Sequence, residues 1–105
     1  MDTVTPSIMR TWTGWIATDR REEYRDYIGE TGMADYLATP GNLGAWMVFR
    51  DLGDGRTEVM TVSLWDSRDS IRAFAGDDID AARFYPEDDE FLLDRELTVK
   101  HYEMA

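Results

Sequence analysis

Between Glu58 and Gly76 the chain reads as a strand that passes through a cap directly into an amphipathic helix. Val59 to Leu64 are mostly apolar or β-branched, as a strand with at least one buried face requires. Asp66 or Ser67 is placed to accept from the first free helical N–H groups, and Asp69 adds negative charge to the first turn. Ile71, Phe74 and Ala75 recur at i, i+3 and i+4, and Gly76 is a natural C-terminal stop. Trp65 stands at the hinge where strand meets helix, a place for a pocket wall in a small sheet-and-helix domain.

Upstream, Ile8 to Ile16 is a strand candidate with bulk on both faces: Ile8, Arg10, Trp12 and Ile16 on one, Met9, Thr11, Thr13 and Trp15 on the other. Gly14 marks a bulge or a close approach. Thr18-Asp19 caps a helix over Arg20 to Ile28, with Tyr24, Tyr27 and Ile28 on one face. Gly29 and Gly32 are expected to interrupt it, and Met33 to Leu37 to resume it for about one turn. Thr39-Pro-Gly-Asn42 is a turn, Leu43 to Leu52 a second strand, and Gly53-Asp-Gly55 a hairpin that makes strands two and three antiparallel neighbours. A further short helix is expected over Asp77 to Phe84, a turn or a single 3₁₀ turn over Tyr85 to Glu90, and a last strand over Leu97 to Met104.

The order β-α-β-β-α-β is the split βαβ, ferredoxin-like pattern: an α+β domain with a four-stranded antiparallel sheet over residues 1–105. Two helices cover one face of such a sheet, and the other face also carries tryptophan and methionine. A second copy packing sheet against sheet is the economical cover, so a homodimer is expected.

Twenty-two acidic and eleven basic residues leave a formal charge of −11. With no basic run, nucleic-acid binding is not expected. No apolar run approaches a membrane span, the first seven residues lack the features of a signal peptide, and cysteine is absent. A cytoplasmic protein with no membrane partner is expected.

Four pieces of sequence resemble the antibiotic-biosynthesis-monooxygenase-like group of the dimeric α/β-barrel superfamily. They are Glu30-Thr-Gly-Met33 with Tyr36 and Ala38-Thr-Pro-Gly-Asn42; Ser63-Leu-Trp-Asp-Ser67 through Ile71 and Phe74-Ala-Gly76; Tyr85-Pro-Glu-Asp-Asp89 with Phe91-Leu-Leu93; and Val99 with His101-Tyr-Glu103. The resemblance implies a dimeric α/β barrel with a pocket in each subunit between helices and sheet. Its members include cofactor-free oxygenases of polyketide phenols, polyketide cyclases and haem-degrading oxygenases. In the haem-degrading branch a Trp at the end of strand three lies against the ligand, and Trp65 matches it. That branch also uses a helix-two His as haem ligand, and no His stands in that stretch here. No cofactor is therefore expected, with haem disfavoured.

His101, the lone histidine, is either structural or a proton shuttle to a phenol or enol. Arg10 either pairs with Asp or Glu or reaches a ligand oxygen. Tyr36, Tyr85 and Tyr102 are packing residues or donors to a substrate oxygen. Catalysis is expected of His101, Arg10 and Tyr102, and substrate contact of Trp12, Trp65, Tyr36, Phe74 and Tyr85. The acidic run Glu87-Asp-Asp-Glu90 is read as solvated, and no metal site is expected. The expected activity is cofactor-independent oxygenation of a hydrophobic aromatic or polyketide-like metabolite. The alternatives are a cyclase or isomerase using the same proton transfer, and a non-catalytic small-molecule-binding module.

Overall fold

The computed structural model describes residues 7–105; the stretch 1–6, read above for targeting signals, lies outside the described residues. The elements are β1 (Ile8–Ala17), a 3₁₀ turn (Thr18–Arg20), α1 (Arg21–Glu30), α2 (Gly32–Ala38), β2 (Asn42–Asp51), β3 (Arg56–Trp65), α3 (Arg68–Ala75), a four-residue helical turn α4 (Asp88–Phe91), β4 (Leu92–Arg95) and β5 (Lys100–Glu103). This is the expected α+β, ferredoxin-like arrangement. The sheet runs β2-β3-β1-β4, every pairing antiparallel, with β5 also on β1. Gly53 and Gly55, at φ of 81° and 85°, make the β2–β3 turn. Ser67 caps α3 by accepting from Ser70 N–H at 3.2 Å, and Gly76 ends it at φ 88°. The break between α1 and α2 falls at Thr31: Gly29 stays inside α1 and Gly32 opens α2.

Two expectations fail together, for one reason. Residues 77–84 form no helix, and the last strand is not continuous from Leu97 to Met104. Instead, Val99 N–H donates to the Asp80 carbonyl (2.8 Å), Ala82 N–H to that of Leu97 (2.9 Å), and Ala81 bridges Thr98. Backbone groups spent on this cross-link are unavailable to a helix or to β1. The fourth sheet position is therefore split, with β4 beside Gly14–Ile16 and β5 beside Ile8–Thr11.

The even-numbered side of β1 and the odd-numbered side of β3 face the helices, and their side chains form two apolar clusters. One contains Trp12, Ile16, Tyr24, Ile28, Val59, Phe91, Leu92 and Val99. The other contains Ile8, Tyr36, Trp65, Ile71 and Phe74. On β1 the residue between them is Arg10. The guanidinium sits at the seam of the two apolar clusters, where Met33 packs against both. The opposite sheet face has no layer over it among the described residues. Across its strands run Trp46–Val62–Thr11, Val48–Met60–Thr13 and Leu64–Met9–Tyr102. Among the described residues, no helix is long and apolar enough to cross a membrane.

Candidate functional site

At that seam lies a cavity walled by Arg10 and Trp12 of β1, Tyr24 and Ile28 of α1, Tyr36 of α2, Phe74 of α3, and Arg83, Phe84, Tyr85, Asp88 and Val99. It has a volume of about 420 Å³ counting its open mouth. Its lining is rich in aromatic rings, several of which pack on one another. Phe74 and Tyr36 stack at 4.4 Å, and Trp12 meets Phe84 edge-on at 6.1 Å. The Trp12 indole is pinned at both ends. Its Nε1–H donates to the Glu96 carbonyl (2.8 Å), in the gap between β4 and β5, and its six-membered ring lies over Gly14. A Cβ at Gly14 would stand 2.5 Å from Trp12 Cη2, so the glycine is there for the indole rather than for a ligand.

Arg10 is 1% exposed and has no carboxylate within salt-bridge distance among the described residues. Its Nη1 donates to the Ile79 carbonyl (2.5 Å) and its Nη2 to that of Ala81 (3.4 Å). These carbonyls are free to accept because residues 77–84 are not helical. Nη1 also lies 3.2 Å from His101 Nε2. Arginine has no acceptor, so this contact needs the lone pair on Nε2 and the proton on Nδ1, which then donates to Asp80 Oδ1 at 3.2 Å. Burial, followed by the charge of Arg10, pulls the His101 imidazole below its ordinary value and keeps it neutral. Burial likewise lowers Arg10 from its usual range, while the neighbouring Tyr36 hydroxyl and Asp80 oppose the shift.

Arg10, Trp12, Tyr36, Phe74 and Tyr85 are thus brought to one cavity, and three of the expected site residues are not. Trp65 is 0% exposed: its Nε1–H donates to Ser63 Oγ (2.8 Å), and its ring packs behind Tyr36 and Phe74. The strand-end indole is a core residue one layer behind the wall. Tyr102 pairs with Met9 and lies on the outer sheet face, because it alternates with His101 on β5. His101 points inward but touches Arg10 rather than the cavity. Tyr85, although in the wall, donates its hydroxyl to Asp35 Oδ2 (2.6 Å), which also pairs with Arg83 (3.4 Å).

Asp88 was missed. The acidic run is not uniformly solvated: Asp88 is 3% exposed, and its Oδ2 accepts from Tyr85 N–H at 2.6 Å. The signal was in the spacing, since Asp88 and Phe91 are three apart on one turn and both are buried. Burial raises the Asp88 carboxyl above its ordinary range, against the opposing effects of the Tyr85 N–H and the Arg95 charge.

No family model matches the chain, and no curated protein matches it. Solved structures do. One from Bacillus cereus, named as a candidate antibiotic biosynthesis monooxygenase, superposes with a TM-score of 0.66 at 12% identity, covering 95% of this chain and 94% of that one. A monooxygenase from the gene ActVA-Orf6 of Streptomyces coelicolor, solved with nanaomycin D, gives 0.55 at 17% identity over 94% and 86%. The chain has the antibiotic biosynthesis monooxygenase fold. A variant of MhuD, solved with two manganese protoporphyrin IX bound per active site, shares this fold with a TM-score of 0.57 at 16% identity, over 94% of each chain. The residues here do not suit an imidazole-ligated haem: both nitrogens of the one histidine are engaged, by Arg10 and Asp80. Among the described residues, no group of three or more His, Asp or Glu is gathered at a metal-binding distance.

Proposed function

We propose that the protein is a small monooxygenase that oxidises a hydrophobic aromatic or polyketide-like metabolite without a cofactor. The observation that carries this is Arg10, a buried cation with no carboxylate partner, set in the wall of a cavity lined by aromatic rings. Such a cation is stabilised best by negative charge developing on a bound ligand. Deprotonation of a phenol or anthrone gives an oxyanion for Arg10, with the Tyr36 hydroxyl beside it. Trp12, Phe74 and Phe84 hold the ring flat and keep water out. The substrate is then the reductant: a ring CH₂ becomes C=O, one oxygen of O₂ enters the product, and the other leaves as water. His101 acts through Arg10, fixing the guanidinium in place.

Oxygen uptake with a panel of anthrones and dihydroxynaphthalenes tests the reading, with one O₂ consumed per substrate expected. Turnover without oxygen uptake would instead establish the cyclase alternative, and tight binding without turnover the binding module.

A second copy of the chain covers the outer sheet face. Trp46, 51% exposed, stands there with Val48 and Tyr102, beside Met9, Met60, Val62 and Leu64. A contiguous apolar face of this kind is characteristic of an interface. Sedimentation at micromolar concentration should give twice the 12.1 kDa chain mass, and W46E/V62E should return it to one. A wild-type monomer would overturn the dimer.

A further inference from the structure

Among the described residues, two buried side-chain polar atoms lack a hydrogen-bond partner: Arg10 Nε and Asp88 Oδ1. Both belong to residues of the same cavity wall. An orphaned donor and an orphaned acceptor are each costly, and a shared cavity gives both a common remedy. We propose that Asp88 is the base of this site, taking the proton from a ligand hydroxyl while Arg10 holds a second ligand oxygen conjugated to it. This rests on the reading of the cavity as a site for an aromatic ligand, and it narrows the ligand to a hydroxyaromatic with a carbonyl or enol oxygen across the ring.

The groups nearest to Asp88 and Arg10 that have fixed partners do not take this role. The one lone pair of His101 is turned to Arg10, and the Tyr85 hydroxyl donates to Asp35. Tyr24 keeps its proton, its phenol pushed well above the usual range by burial and then by the Asp88 charge. Around Asp88, the Tyr85 N–H and Arg95 favour the carboxylate, whereas burial and Asp89 favour the acid. Burial is the largest of these effects, so this carboxyl holds a proton better than a surface aspartate would. In the step itself the ligand O–H bond breaks and the proton bonds to Asp88 Oδ1. The electron pair stays on the ligand and delocalises toward the oxygen at Arg10, with no net redox change.

A coloured probe reads this directly. 6-Hydroxy-1,4-naphthoquinone carries a hydroxyl at one end and quinone oxygens at the other, and its phenol and phenolate absorb differently. At a pH below its own ionisation, the probe bound to wild type should show the phenolate band, and bound to Asp88→Asn the neutral band. The amide oxygen of Asp88→Asn still accepts from Tyr85 N–H, so an unfolding midpoint no lower than wild type is expected. A phenolate band with the variant, or no binding of the probe to wild type, overturns the proposal. With any substrate that wild type oxidises, Asp88→Asn should lower kcat about 100-fold while KM changes little. An unchanged kcat overturns the base while leaving the oxygenase reading intact. If wild type consumes no oxygen, the oxygenase reading falls, and the probe colour still decides Asp88.

Discussion

Replacing Arg10 by methionine is expected to lower kcat/KM for an oxidised substrate by about 100- to 1,000-fold, the range seen when a preorganised oxyanion donor is removed. The loss should fall mainly on kcat, because charge at the ligand oxygen grows toward the transition state. Stability is pulled both ways. A buried unpaired charge disappears, which helps the fold, but the carbonyls of Ile79 and Ala81 and the Nε2 of His101 lose their donor. Rates should therefore be compared at a temperature where circular dichroism shows both proteins folded. Arg10→Lys is a sharper probe: it keeps the charge but loses the planar fork that serves two carbonyls and an imidazole at once. His101→Gln completes the series, since its amide oxygen still accepts from Arg10 and most activity should survive. Collapse of activity in that variant would return the proton-abstracting role to His101. Wild-type rates from Arg10→Met would remove the observation on which the proposed function stands.

Trp65→Ala is expected to cost roughly 3–5 kcal/mol of folding stability, the usual toll for deleting a buried aromatic side chain. Domains of this size are stable by about 5–15 kcal/mol in total, so the variant should lose a large share of its margin and unfold at a clearly lower urea concentration. The loss is large because the indole has no exposed edge and because its N–H is the partner of Ser63 Oγ. Trp65→Phe should recover most of it, leaving only the unpaired hydroxyl and a smaller void. Urea denaturation measures both. A Trp65→Ala midpoint close to wild type would mean that the residue is not the core of the Ile8–Tyr36–Ile71–Phe74 cluster. If ligand affinity fell while stability held, Trp65 would be a wall residue after all.

Much of the fold is legible in local chemistry. Alternation on β1 and β3, the Gly53-Asp-Gly55 turn, and the Ser67 cap with Gly76 as stop each depend on a few adjacent residues, and each appears where those residues require it. The failures depend on contacts distant in sequence. Residues 77–84 have a helical pattern, yet their carbonyls go to Arg10, some seventy positions away, and their backbone pairs with residues 97–99. Nothing in either stretch alone announces that exchange, and it is also what splits the fourth sheet position.

The same division holds for the site. Alternation places Arg10 and Trp12 on one strand face and sets Tyr102 opposite His101, and both placements hold in the structure. Assigning Trp65 to the wall required knowing how far the Tyr36 and Phe74 rings reach across the strand end, which depends on packing depth between layers. Asp88 lay in a run whose composition signals solvent. Its burial follows from one helical turn that seats Phe91 in the core and carries Asp88 in with it. The sequence by itself determined the order of elements, the strand faces and the residue types available for chemistry, because these follow from periods and caps a few residues long. Only the tertiary structure decided which polar groups are left unpartnered, because that depends on which distant donors and acceptors meet when the layers close.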